Sequence, residues 1–203
     1  YSSFYERNTK NEIFTDTNGQ KKEIPFLEDN CYWAGYSEND DCKLVKISYY
    51  TGASERQVSM VIVLPNEGVA LNSIRLSEQI QNADWKNEHV SIKLPKFHIE
   101  SSFDLTDTLK SLGIKDAFDK DKADFSPMFG AKFAYLDTIL QNTYIHVDEN
   151  GTEAAAVTSS GSGGGGPAPF KPIPFVADHP FYFAIVDEIN NEMLFAGQFA
   201  YAA

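Results

Sequence analysis

The chain has 203 residues, of which 42% are hydrophobic and 23% are charged, which is enough apolar material for one buried core and too much for a disordered chain. Its net charge of -12 argues against a nucleic-acid-binding surface, because contacts to phosphate need clustered lysine and arginine side chains. The sequence contains no apolar run near the roughly 20 residues that a membrane-spanning helix needs, so neither nucleic acid nor membrane is expected as a partner.

Strand patterns dominate the chain. Apolar or alternating segments predict strands at 43–50, 58–64, 90–99, 139–148, 181–186 and 193–199. Helices are predicted at 70–82 and 105–112, the second capped by Asp104 and ended by Gly113. The last two strands are apolar at nearly every position, which predicts burial on both faces. The expected fold class is therefore α+β.

Cys31 and Cys42 are the only cysteines, too few for a disulfide scaffold. If the segments on either side of the polar turn 37–41 pair as a hairpin, Cys42 faces Tyr36 and Cys31 faces Ile47. Two separate thiols are favoured over a bridge in this register, although a wider loop would change it.

Other chemistry is not supported by the residue patterns. The four histidines have no zinc-ligand spacing, and the aspartates at 119–124 lack the glycine and glutamate of a calcium loop. The glycine run at 163–166 is not followed by Gly-Lys-Ser/Thr, and no nucleophile motif is present. The chain is therefore predicted not to be an enzyme and to need no metal or cofactor.

The most informative segment ends at Glu149 and continues into an alanine-rich stretch. Residues 139–148 alternate as a half-buried strand does, with Ile145 and Val147 on one face. If residues 152–158 were extended, small side chains would share one face and Glu153 would lie on the other. Such a strand could enter a sheet between two neighbours without overpacking. The alternative without a specific function is a helical or flexible linker, because alanine and glutamate favour helix.

This segment resembles the hinge of the reactive-centre loop of serpins, a superfamily of serine protease inhibitors. The resemblance covers essentially the whole chain and includes the stretches 58–65, 94–97 and 104–126. Its hinge residues are Glu149, Gly151, Thr152, Glu153, Ala154, Ala155 and Ala156, and its C-terminal signature includes Phe175, Asp178, His179, Pro180 and Phe181. It implies a serpin fold of mostly antiparallel sheets with a few helices and an exposed loop, and the glycine-rich loop is similar to bacterial ones.

The resemblance also implies a domain organisation, because a serpin domain is roughly twice this long. Residues 1–203 are expected to form a partial serpin domain without its N-terminal half, with the hinge and reactive-centre loop at 149–174. The implied partners are a serine protease, elastase-like or subtilisin-like, and the missing N-terminal half. The implied location is extracellular or at the cell surface.

The family mechanism implies a suicide substrate, in which the cleaved loop inserts into the main sheet while still bonded to a serine-type or cysteine-type protease. Counting forward from the hinge places the reactive bond at Gly165–Gly166, whereas counting back from the signature places it at Pro169–Phe170. The forward count is favoured, because the arm length decides whether the acyl bond survives insertion. The alternative is a non-inhibitory fragment whose degenerate or engineered loop serves only as a tether.

Overall fold

The computed structural model describes residues 4–49, 57–130, 134–149 and 171–201, and for Cys31 and Phe129 the backbone alone. Two compact units are present. The first consists of Tyr1–Lys96 and Val147–Ala203, and the second of Phe97–His146. The second unit is therefore an insertion in the chain of the first.

Ten strands and three short α-helices make up most of the described chain. The strands are β1 (Lys10–Thr15), β2 (Lys21–Glu38), β3 (Cys42–Ser48), β4 (Val58–Pro65), β5 (Lys86–Pro95), β6 (Phe97–Asp104), β7 (Leu140–Val147), β8 (Ile173–Val176), β9 (Phe181–Asp187) and β10 (Glu192–Phe199). The helices are α1 (Leu76–Gln81), α2 (Thr106–Ser111) and α3 (Ser126–Phe129), with 3-10 turns at Glu6–Asn8, Leu71–Ser73 and Asp116–Phe118.

An eight-stranded sheet in the order β10-β9-β4-β3-β2-β5-β8, with β1 also paired to β2, organises the first unit. Its pairings are antiparallel except for the parallel pair of β5 and β8. The 18-residue β2 pairs with β1 through its first part and with β3 through its last part. Its register with β5 shifts between Asp29 and Tyr32, which marks a β-bulge or a similar irregularity between the part of β2 that pairs with β1 and the part that pairs with β3.

The core of the first unit includes two apolar groups. One lies beneath α1 and contains Cys42, Leu44, Val61, Val63, Ile74, Ala184 and Val186. The other is aromatic: the ring of Phe199 lies 4.9 Å from that of Phe14 and 5.5 Å from that of Phe181. These groups anchor the strands that carry the C-terminal part of the chain.

Strands β6 and β7 form a two-stranded sheet in the second unit. The predicted helix at 105–112 corresponds to α2, but the N-cap is Leu105 and not Asp104 as predicted. Asp104 Oδ1 still accepts a hydrogen bond from the Thr106 N–H at 2.9 Å, and Gly113 has φ 101°. That positive φ favours glycine, as a helix stop does.

The prediction of one strand at 90–99 is wrong. Strands β5 and β6 end and begin on either side of Lys96, whose backbone N–H donates to the Pro25 carbonyl at 2.9 Å. The helix predicted at 70–82 is shorter and is preceded by a separate 3-10 turn. Strands β1 and β8 and the first part of β2 were not predicted.

The predicted burial of the last two strands is correct for β9 and wrong for β10. Strand β10 lies at the edge of the sheet order, and its Leu194 and Phe195 are 48% and 52% exposed. An apolar sequence therefore occurs here both in a strand that is buried, β9, and in a strand that is largely exposed, β10.

The predicted hairpin register is also wrong. Tyr36 pairs with Val45 instead of Cys42, because the Asn39 N–H donates to the Cys42 carbonyl at 3.0 Å and closes a shorter turn. Cys42 is a free, buried thiol. Its burial, together with the nearby charge of Asp41, raises its pKa to about 11.

Candidate functional site

The candidate site begins where β7 ends. Ile145 and Val147 are buried while Tyr144 is exposed, so the predicted alternation is confirmed. Glu149 follows two residues after the strand and is only 7% exposed. A half-buried strand therefore leads directly into a buried carboxylate.

Two side chains from distant parts of the first unit hold this carboxylate. Lys96 Nζ lies 2.7 Å from Glu149 Oε2, and Thr9 Oγ1 donates to Glu149 Oε1 at 2.7 Å. Lys96 follows β5, and Thr9 precedes β1. Lys96 is the last residue of the first unit before the chain enters the second unit, and Glu149 lies two residues after the chain returns at Val147. The ion pair therefore joins these two segments of the first unit.

The electrostatics of the pair favour the charged carboxylate. Burial acts to raise the pKa of Glu149, but the hydrogen bonds from Lys96 and Thr9 lower it, and the net pKa is below the ordinary value. A buried charge in this arrangement is stable only while both partners are present. Glu149 is consequently a fixed point at the start of the predicted hinge.

Strand β8 fixes the chain on the far side of the loop. It pairs in parallel with β5, with Phe175 opposite Ile92, and the Ala177 N–H donates to the Lys93 carbonyl at 2.9 Å. Phe175 is fully buried. Four residues of strand and one buried ring thus hold the chain after the loop.

The signature residues that follow β8 join several strands. His179 Nε2 lies 2.9 Å from the Pro65 carbonyl oxygen, and its Nδ1 lies 2.8 Å from Asp178 Oδ1. The Asp178 carbonyl in turn accepts from the Thr15 N–H at 2.8 Å. With Phe181 fully buried, these residues tie β9 to β4 and β1.

Most of the predicted loop residues lie outside the described residues. These are Gly151, Thr152, Glu153, Ala154, Ala155 and Ala156 of the hinge and the two alternative reactive bonds, Gly165–Gly166 and Pro169–Phe170. Of the predicted hinge, the structure describes Glu149. Sequence reasoning missed Thr9 and Lys96, which lie 140 and 53 positions from it, and no local pattern indicates them.

Two further observations concern other kinds of site. Within the described ranges, no group of three or more histidine, cysteine, aspartate or glutamate side chains has the arrangement of a metal centre. No helix in the same part of the chain is long and apolar enough to cross a membrane.

Comparison with known proteins defines the class to which this architecture belongs. A family model described as Serpin (serine protease inhibitor) matches residues 1–202, which is almost the whole chain. The chain belongs to the serpin family. The expected fold class, α+β with mostly antiparallel sheets, is confirmed by the solved serpin structures that it resembles.

Several relatives illustrate the match. The chain is 34% identical over 194 residues to leukocyte elastase inhibitor A of Mus musculus, covering 88% of this chain and 46% of the relative. It is 33% identical over 204 residues to Serpin-Z1B of Triticum aestivum, covering 93% and 50%. The native structure of the thermophilic serpin Tengpin aligns with a TM-score of 0.76 and 30% identity, covering 99% of this chain and 52% of that one. The chain spans about half the length of the relatives that it matches.

Proposed function

We propose that this chain is the loop-bearing part of a serpin that inhibits a serine-type protease, and also cysteine-type proteases, as a suicide substrate. The observation that carries the proposal is the buried carboxylate of Glu149, which accepts hydrogen bonds from Thr9 and Lys96. It lies at the junction of β7 and the alanine-rich segment. A tether would need no such fixed point. An arm that must enter a sheet in a defined register does need one, because a slip by one residue turns every side chain to the other face.

The proposed step follows the known mode of action of inhibitory serpins. The nucleophile of the protease attacks the carbonyl carbon of the reactive peptide bond. That peptide bond breaks, its amine leaves on the C-terminal segment, and the N-terminal arm stays bonded to the enzyme as an acyl group. The freed arm then enters the sheet next to β7 as a new strand. Among the described strands, β7 pairs with β6, which leaves its other edge for this arm. Thr152, Ala154 and Ala156 supply the small side chains on the inserted face.

The expected gain in free energy is large enough to drive this step. About a dozen new ladder hydrogen bonds at roughly 1 kcal/mol net each contribute on the order of 10 kcal/mol. That is comparable to the whole stability of a typical protease domain. Insertion can therefore distort the active site of the enzyme that remains attached.

The proposal includes partners. The first is the complementary N-terminal portion of the serpin domain, which supplies further strands for the receiving sheet. The exposed apolar residues of the edge strand β10 favour such a partner, because it would cover them. The second is an elastase-like or subtilisin-like protease, in line with a loop of small residues and with the names of the elastase-inhibitor relatives. An extracellular location is part of the same proposal and depends on the family resemblance alone.

The test combines the chain with its complementary N-terminal portion, adds elastase or subtilisin, and separates the products on a denaturing gel. A covalent complex of inhibitor and protease is expected. Mass spectrometry of the released C-terminal peptide then distinguishes cleavage at Gly165–Gly166 from cleavage at Pro169–Phe170. Cleavage without any covalent complex would contradict the proposal and leave the tether function.

A substitution in the hinge sharpens the test. We expect Thr152→Arg to lower the covalent fraction about tenfold or more, because insertion would bury a bulky charge between strands. The cleaved fraction should rise by the same amount, since the loop is still offered to the protease. Thr152→Ala is the matched control and should form as much complex as the unsubstituted chain. An unchanged complex yield in Thr152→Arg would contradict the insertion model.

A further inference from the structure

A cavity of about 450 Å³ lies in the first unit. Its volume is within the range of pockets that bind small molecules. Its walls come from four separate segments: the turn between β1 and β2, the 3-10 turn at Leu71–Ser73, the beginning of β9 and the end of β10. None of its lining residues belongs to the loop anchors, Glu149 and β8, so the proposed inhibitor mechanism does not use it.

Contacts between these segments fix the shape of the cavity. The backbone N–H and the Oγ1 of Thr17 both donate to the Ala200 carbonyl at 3.2 Å, which joins the turn between β1 and β2 to the residue after β10. Tyr182 is paired with Gln198 in the ladder of β9 and β10, so their side chains lie on the same face of the sheet. A cavity with fixed walls loses little conformational entropy when it binds a ligand.

Most of the lining is apolar or aromatic. Val69, Leu71 and Pro180 supply apolar contacts, and Tyr182 and Tyr201 supply two aromatic rings. Tyr182 also packs against the core beneath α1, which holds its ring in place, whereas Tyr201 is 57% exposed. These walls favour a ligand that carries a small ring.

The charge of the lining favours a cation. Asp16 supplies a carboxylate, and no lysine or arginine is present among the described residues that line the cavity. Asp16 Oδ1 accepts from the N–H groups of Asn18 and Gln20, each at 2.8 Å, which fixes the carboxylate; its Oδ2 has no hydrogen-bond partner in the described part of the chain. Both ring nitrogens of His179 already have partners, so its ring is not counted as a ligand group.

We propose that this cavity binds a small aromatic amine, with the ammonium group on the carboxylate of Asp16 and the ring against Tyr182 and Tyr201. A hydrogen bond between an ammonium and a carboxylate is stronger than one between neutral groups, and an ammonium close to a tyrosine ring gains a cation–π attraction. The amides of Asn72 and Gln198 also line the cavity and can bind further polar groups of the ligand. The inference is independent of the proposed inhibitor function.

The experiment is a calorimetric titration of the 203-residue chain with phenethylamine hydrochloride at pH 7.5. We expect one saturable site per chain. The matched probe is 3-phenylpropionate, which carries a carboxylate in place of the amine and should bind about tenfold more weakly or less, because Asp16 repels it. Equal affinity for the two probes would overturn the proposal, and so would the absence of saturable binding of phenethylamine.

Two substitutions locate the site. Asp16→Asn keeps an oxygen for the two backbone N–H groups and removes the charge, so it should weaken phenethylamine binding about tenfold. Tyr201→Ala should weaken it about threefold through loss of a cation–π contact. Asp84→Asn is the matched control, because Asp84 is 85% exposed and does not line the cavity, and it should bind like the unsubstituted chain.

Thermal melts show whether each variant is folded at the temperature of the titration. Unchanged affinity in a folded Asp16→Asn chain would overturn the proposal. An equal loss of affinity in Asp16→Asn and Asp84→Asn would also overturn it, because the effect would then come from the net charge of the chain. The comparison of the two probes needs no variant and tests the proposal even if Asp16→Asn does not fold.

Discussion

At the scale of single residues, the environment of Glu149 links stability to protonation. Its carboxylate is buried and is bonded to Lys96 and Thr9. Removing one partner of a buried charge leaves that charge poorly solvated, which costs more than the intact pair contributes. The pair therefore matters more for keeping the hinge in place than as a source of net stability.

Lys96→Met tests this reading by removing the cation and retaining the aliphatic stem. We expect the free energy of unfolding to fall by about 1–3 kcal/mol, because Glu149 loses a charged donor. Lys10→Met is the matched control: Lys10 is 68% exposed and lies 3.8 Å from Glu28, so its loss should cost less than about 1 kcal/mol. Urea unfolding of the three chains measures both effects, and equal losses would contradict the argument.

The same variant has a defined pH dependence. Because the folded pKa of Glu149 lies below its ordinary value of 4.5, its contribution is fully present above that value and is lost as the pH falls through the folded pKa. The difference in stability between Lys96→Met and the unsubstituted chain should therefore be largest near neutral pH. It should shrink in urea titrations below about pH 4. A difference that grows on acidification would contradict the assignment.

Gly197 illustrates a second residue-scale constraint. It lies opposite Phe183 in the β9–β10 ladder, and a Cβ at this position would lie 2.9 Å from Phe183 Cε2 and 3.0 Å from Cε1. The ring is buried and has little room to move. We expect Gly197→Ala to cost about 1–3 kcal/mol through overpacking. In thermal melts, adding Phe183→Leu should recover part of this loss, and additive losses would show that ring contact is not the cause.

At the scale of elements, regular patterns were predictable and irregular ones were not. Strands β4, β7 and β9 follow from apolar or alternating runs. Strand β2 was missed in its first part because Lys21, Lys22 and Pro25 are poor strand residues, and pairing with β1 overrides that preference. Burial of β10 was misjudged because hydrophobicity does not distinguish an edge strand from a central one.

The candidate site was predictable only in part, for a related reason. Alternation in β7 and the small residues after it indicate a hinge from local sequence alone. Thr9 and Lys96 reach Glu149 through the tertiary fold, and the break at Lys96 interrupts what reads as one continuous strand. Contacts between distant segments leave no periodic signal in a single sequence.

Strand β8 offers a prediction at this scale. Phe175→Ala should destabilise the chain by about 3–5 kcal/mol, because it leaves a cavity where a fully buried ring was. Hydrogen exchange of the β8 amides should accelerate more than that of β4 if the strand loosens locally. Pro174→Ala, at the exposed neighbouring position, is the control and should leave exchange nearly unchanged. Equal effects of both substitutions would contradict the anchoring role of Phe175.

At the scale of the whole molecule, the proposed mechanism makes the uncut state the less stable one. The chain spans about half the length of its relatives, so this prediction concerns the assembly with the complementary N-terminal portion. Cleavage in the loop should raise its melting temperature by roughly 10 °C or more, since the inserted arm adds a strand to the sheet. Calorimetry of cut and uncut assemblies measures the change. No rise would remove the basis for the inhibitor proposal.

The two anchors of the loop also bear on protein engineering. Glu149 is held by Thr9 and Lys96, and β8 is held by β5. Those contacts are made by residues outside the intervening segment, so we expect substitutions that keep the length of that segment to leave both anchors unchanged. Recognition sequences for other enzymes could be spliced between Gly161 and Lys171 while both docking points are retained.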